Sequence, residues 1–136
     1  MTTQGCRSKS KDTADLEDSE TPNAKNLEKI GDAYVRASNT LRHPPNNLEE
    51  LLPSLNDFGK PEEILVSSVD GQKFEIVWGV ELRMLQAKGN DIPIIAYERN
   101  GKDGKRNVLR GRSEVLLLSE SKLKSGKFPE GYKFPF

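Results

Sequence analysis

The chain has 136 residues, of which 31% are charged and 34% fall in the hydrophobic class, and its 21 basic and 21 acidic side chains balance to zero net charge. That length supports one domain, and the balance excludes a chain built throughout to grip nucleic acid or an anionic membrane surface. A single cysteine, Cys6, and a single histidine, His43, exclude an internal disulfide and a multi-cysteine or histidine-rich metal site.

Residues 1–24 are rich in Ser, Thr, Lys, Asp and Glu, and Leu16 is the one large aliphatic side chain after Met1. Such a stretch cannot bury enough apolar surface to offset its ordering entropy, so it is expected to be a disordered polar tether. Residues 25–136 are then the folded domain. No run approaches the length of a membrane-spanning helix, and no apolar segment follows Met1 as a secretory signal would require.

Asn26 to Arg42 is the clearest helix. Leu27, Ile30, Tyr34, Ala37 and Leu41 recur at three- and four-residue spacing and form one apolar stripe. Glu28 and Asp32 toward its start and Arg42 at its end are expected to suit the helix dipole. Pro44-Pro45 stops it, because proline cannot continue the hydrogen-bond ladder. Asn47 followed by Glu50 is a capped start for a second, short helix carrying Leu48, Leu51, Leu52 and Leu55. Pro61 to Ile64 is a further single turn.

The period then changes from 3.6 to 2. Phe74, Ile76 and Trp78 alternate with Glu75 and Val77 and predict a strand with one apolar face, introduced by an Asp70-Gly71 turn. Pro93 to Arg99 is the second strand, with proline tolerated at its first position. The stretch 100–104 is a glycine-bearing hairpin loop. Arg106 to Arg110 and Glu114 to Leu118 are the third and fourth strands, joined at Gly111-Arg112. Ser119 to Ser125 forms a short helical turn, and the final Phe- and Pro-rich segment lies extended over the domain. One long helix followed by an antiparallel meander is an α+β order, with the helix on one sheet face.

Few residues carry candidate chemistry. From Arg99 onward there are ten Lys/Arg against four Asp/Glu, while the first 98 residues carry 17 acids against 11 bases. Lys102, Lys105, Arg106, Arg110 and Arg112 are the candidate nucleic-acid contacts. That function needs the charges on one face, with aromatics to stack on bases. Val108 lies between Arg106 and Arg110, and no aromatic falls between Gly101 and Lys127. A solvated hairpin whose charged edge discourages strand aggregation is the simpler account. His43 is expected to sit structurally at a helix end. Asp91, Glu98 and Asp103 flank loops, yet lack the compact oxygen-ligand density of a calcium loop. Trp78 is read as core and Gly79 as a close approach of another backbone. No phosphate loop and no nucleophile–base pattern occurs, so catalytic residues and cofactors are expected to be none.

NLEKIGDAYVRAS, from Asn26 to Ser38, resembles the first helix of pseudopilin-like proteins of planctomycete bacteria. Pro44-Pro45, NNLEELLP, DGQKFEIVWGVEL, IIAYE and GKRNVLRGRSEVLLLSE extend the likeness from about Lys25 to Phe134. Gly111-Arg112-Ser113 stands where that group carries Asp-Gly, and the apolar helix half that builds pilin filaments is not in this sequence. The resemblance implies a pilin-like globular domain in the cell envelope, acting through protein contacts and outside the cytoplasm. Thr3-Gln4-Gly5-Cys6 ahead of an acidic, Ser-rich tail likewise resembles a mature bacterial lipoprotein, with Thr3 in the place of the usual Leu. Cys6 is thus the candidate lipidation site and the sole expected route to a membrane. An incidental free cysteine in the tail is the alternative.

Overall fold

The computed structural model describes residues 21–83, 88 and 91–133. Residues 1–20, which carry most of the expected tail and Cys6, lie outside that range. Helix α1 runs Pro22–Leu41, α2 Leu48–Leu55 and α3 Pro61–Ile64, with a 3-10 turn at Asn56–Phe58. Strands β1 (Glu75–Ile76), β2 (Ile94–Tyr97), β3 (Lys105–Arg110) and β4 (Glu114–Ser119) form one antiparallel sheet in sequential order, and α4 (Glu120–Lys124) follows. The expected α+β order, with the long helix packed on a four-strand meander, is what the chain adopts.

Helix α1 begins four residues earlier than its periodicity predicts. Thr21 is the N-cap, its hydroxyl accepts from the Ala24 N–H, and Pro22 fills the first helical position. Proline fits there because its missing N–H would be unsatisfied in any case. The polar composition of the tail masks this signal. Pro22, Asn23 and Ala24 therefore belong to the folded unit and not to the tether. The expected dipole pairing fails with the same shift. No acid lies in the first turn and no base in the last, and Arg42 is instead the left-handed C-cap whose N–H reaches the Ser38 carbonyl.

The apolar stripe of α1 holds. Leu27, Ile30, Tyr34 and Ala37 are fully or almost fully buried, and Leu41 is half-buried. Each Leu or Ile buried in this way contributes about 1.5–3 kcal/mol of transfer free energy. Helix α2 caps as its sequence says: Asn47 Oδ1 accepts from the Glu50 N–H at 3.0 Å, and Glu50 Oε1 accepts from the Asn46 N–H at 2.8 Å.

The first strand departs from strict alternation. Only Glu75 and Ile76 pair in the sheet, and the buried side chains are Phe74 and Val77, with Ile76 and Trp78 half-buried. Tertiary contacts break the period here. Tyr34 of α1 donates its hydroxyl to the Val77 carbonyl at 2.7 Å and accepts from the Val80 N–H at 3.0 Å. Its ring stacks with Trp78 at 6.4 Å between centroids. Gly79 meets another backbone as expected, its N–H reaching the Pro45 carbonyl at 2.9 Å.

Both faces of the sheet are covered. A register slip between Ile94 and Ala96 lets Ile94 and Tyr97 share the face away from α1. There the C-terminal segment crosses, with the Pro93–Lys127 bridge at its start, Phe128 edge-on to Tyr97 and the Tyr132 hydroxyl 2.6 Å from that of Tyr97. On the other face Gly31 is the contact point. A Cβ there would overlap the Arg112 carbonyl oxygen and press on Leu109. Burial pushes the Tyr34 phenol up to about 12, and burial also raises Tyr97 and Tyr132 above the ordinary value of 10.0.

Gly31→Ala in an exposed helix would gain about 1 kcal/mol of helix propensity. Here the overlap reverses the sign, and a loss of about 1–3 kcal/mol is expected in urea denaturation. The phenols give a second expectation. Their folded-state pKa values lie above the unfolded value of 10.0, so their stabilisation is intact below that pH and is lost as pH rises through it toward about 12. Ultraviolet titration should show all three tyrosines ionising late and together with alkaline unfolding. Ionisation near the ordinary value in the folded chain would contradict this packing.

Candidate functional site

The five basic residues do not form one surface. Strand parity places Lys105 with Asn107 and Leu109 on the α1 side of β3, and Arg106, Val108 and Arg110 on the opposite side. Arg110 is committed to Glu114, with its Nε and Nη2 donating to Oε1 at 2.9 and 2.8 Å. The Arg106 Nε–H points at the Asn100 carbonyl at 3.4 Å. Arg112 lies in the β3–β4 turn beside Arg36 and Asp32 of α1. Lys102 and Lys105 sit together elsewhere, at the mouth of a cleft. The hairpin that folds the strands also disperses their charges. His43 is exposed at the end of α1, with Nδ1 2.8 Å from the Pro44 carbonyl.

The cleft has a volume of about 600 Å³. Its walls come from the first turn of α1, the Ser68-Val69 loop, the end of β2, the β2–β3 loop, Asn107 of β3 and Leu117 of β4. The β2–β3 loop closes by a two-residue turn. Lys102 and Lys105 exchange backbone hydrogen bonds, and Asp103 and Gly104 both have positive φ. Asp-Gly suits this because aspartate tolerates the left-handed region and glycine has no side chain to clash. The turn sets Lys102, Asp103 and Lys105 at the cleft mouth.

At the inner end of the cleft is a buried carboxylate, Glu98, only 5% exposed. Glu98 Oε1 accepts from the Asn107 backbone N–H at 2.7 Å, and Oε2 accepts from the Asn107 and Asn23 side-chain amides. Its donors among the described residues are all amides. Asn23 is fully engaged. Its other amide hydrogen goes to Ser67 Oγ at 2.8 Å, and its Oδ1 accepts from the Ser68 N–H and hydroxyl at 2.8 and 3.1 Å. Asn107 is not, since its Oδ1 has no hydrogen-bond partner among the described residues. The carboxylate fixes that orientation, because a flipped amide would set oxygen against oxygen. Val69, 60% exposed, and Leu117 supply apolar surface along the same cleft.

Asp91, Glu98 and Asp103 do not converge. Glu98 and Asp103 share the cleft, Asp91 is not part of it, and no group of three or more His, Cys, Asp or Glu among the described residues is placed to hold a metal ion. The cleft itself was not legible from sequence. Asn23 lay inside the presumed tail, and Glu98 and Asn107 are 75 and 84 residues from it in the numbering. The one local signal was an acid at the end of an otherwise apolar strand, IIAYE.

No family model matches this chain, and neither a curated protein nor a solved structure does. No helix among the described residues is long and apolar enough to cross a membrane.

Asn23→Ala removes one donor from buried Glu98 and one from the buried Ser67 hydroxyl. Buried polar groups left unpaired cost about 1–3 kcal/mol. A loss of that size is expected in the urea midpoint, against a change within about 0.5 kcal/mol for the exposed control Glu62→Ala. Equal effects of the two would mean the Asn23 network does not hold α1.

Proposed function

We propose that this chain is a non-enzymatic, pilin-like domain of the bacterial cell envelope that acts through contacts with other proteins. The observation that carries this reading is the placement of one long amphipathic helix across one face of a sequential four-strand antiparallel sheet. That arrangement agrees with what the likeness of Asn26–Ser38 and of the last hairpin to pseudopilin-like proteins implies. The second element of the reading is a lipid tether at Cys6, supported by the small residue before it and the polar stretch after it.

The alternative, a nucleic-acid-binding module using the C-terminal basic residues, has weaker support. Phosphate binding gains from cations that share one face. Here Arg110 is paired with an acid, Arg112 lies beside α1, and the two lysines flank a cleft that contains Glu98 and Asp103.

The tether is tested in cells. The native gene, expressed in a bacterial host fed a clickable palmitate analogue, is expected to yield labelled protein in the membrane fraction. Cys6→Ser should abolish the label and release the protein. Wild-type protein without label, recovered with cytoplasmic markers, would remove the envelope reading.

A further inference from the structure

A side-chain hydrogen bond ties two loop walls of the cleft together. Asn100 Nδ2 donates to Asp70 Oδ2 at 2.9 Å. Asp70 follows Ser68 and Val69 in one wall, and Asn100 opens the β2–β3 loop that carries Lys102 and Asp103 in the other. The Asn100 amide is the foremost of the donors that hold the Asp70 carboxyl below its ordinary range.

The same asparagine is chemically vulnerable. Asn100 is the one asparagine in the chain followed by glycine, and it is exposed. The Gly101 N–H has no hydrogen-bond partner among the described residues. Arg106 Nε–H points at the carbonyl of the same peptide unit, Asn100 O, at 3.4 Å. A cation there favours the anionic form of that amide and so eases loss of its proton. The fold also requires the glycine. Gly101 has φ of 76°, which strains other residues, and a Cβ there would overlap the Lys105 carbonyl oxygen.

These features set up an intramolecular reaction. The Gly101 nitrogen loses its proton and attacks Asn100 Cγ. The new N–Cγ bond closes a succinimide ring, the Cγ–Nδ2 bond breaks, and ammonia leaves with a proton. Water then adds to either ring carbonyl and reopens the ring, leaving aspartate or isoaspartate at position 100. The balance is amide plus water to carboxylate plus ammonium, with no oxidant or cofactor. Asp70-Gly71 and Asp103-Gly104 lack an amide leaving group.

We propose that Asn100-Gly101 is a site of spontaneous deamidation, restrained by Asp70, whose conversion unties these two walls of the cleft. Asp70 restrains the reaction in two ways. Its hydrogen bond limits rotation of the Asn100 amide, and its negative charge opposes the anion that forms at the Gly101 nitrogen. Conversion replaces a donor by a second carboxylate facing Asp70, so attraction becomes repulsion. This assignment is independent of where the protein resides.

The test is incubation of the full chain in neutral buffer until a free peptide of residues 98–105 has converted. Cleavage with a glutamate-specific protease and fragmentation of the Arg99–Glu114 peptide by mass spectrometry then locate the change. The mass gain of an amide-to-acid exchange is expected at Asn100 and not at Asn107, which precedes Val108. Asp70→Ser keeps an acceptor for the Gln72 N–H. It should convert about fivefold faster than wild type, the factor that one unit charge about 4 Å away exerts through water. Asn100→Asp, followed by amide NMR, should move the Val69 and Lys102 signals and leave those of Ile30 and Tyr34 in place. The site is overturned if neither wild type nor Asp70→Ser converts at Asn100, or if conversion falls on other asparagines instead. Equal rates in the two chains overturn the restraint by Asp70. An Asn100→Asp chain with unmoved Val69 signals overturns the tie.

Discussion

One amide holds the start of α1 to the sheet. Asn23 donates to Ser67 and to Glu98 and accepts twice from Ser68. It thereby ties the first helical turn to the loop before β1 and to the end of β2. Asn23, Ser67 and Glu98 are buried, and their polar groups would be costly to leave unpaired. The apolar stripe of α1 decides that the helix lies on the sheet. Asn23 decides where its first turn sits, and so fixes the mouth of the cleft.

A second constraint acts mid-helix. Gly31 allows the α1 backbone to approach the Arg112 carbonyl closely, and Tyr34 one turn later binds both the Val77 carbonyl and the Val80 N–H. The helix is thus fixed by a polar lock at its N-terminus, a steric contact in the middle and a phenol beyond it. With these in place, the opposite sheet face is free to be covered by Tyr97, Phe128 and Tyr132. Such two-sided burial explains why Ile94 through Tyr97 reads as a continuous apolar run and not as alternation.

The dispersal of the basic residues follows from the same geometry. Side chains alternate along β3, so neighbours in sequence point to opposite faces. Lys105 faces the cleft and Arg106 does not. The β2–β3 turn brings Lys102 beside Lys105, while the β3–β4 turn carries Arg112 to α1. A run that reads as one basic patch becomes three separate environments. One of them borders a buried carboxylate, which changes what the lysines can recognise.

The sequence by itself determined the element types and their order. Periods of 3.6 and 2, the Asn47–Glu50 cap and the glycine-bearing hairpin loop at 100–104 are local properties, set by backbone sterics and side-chain spacing. It also placed the core face of α1, because one stripe carries the apolar residues. It did not determine the start of α1, since the Thr21-Pro22 cap lay within a polar composition that suggested a tail. It placed Phe74 inward correctly but put Val77 outward, whereas Val77 is buried, with Tyr34 binding its carbonyl from another element. The cleft belongs wholly to tertiary structure. Asn23, Glu98 and Asn107 each look like an ordinary polar residue in its own segment, and only packing of α1 across β2 and β3 turns them into one network with an unfilled acceptor.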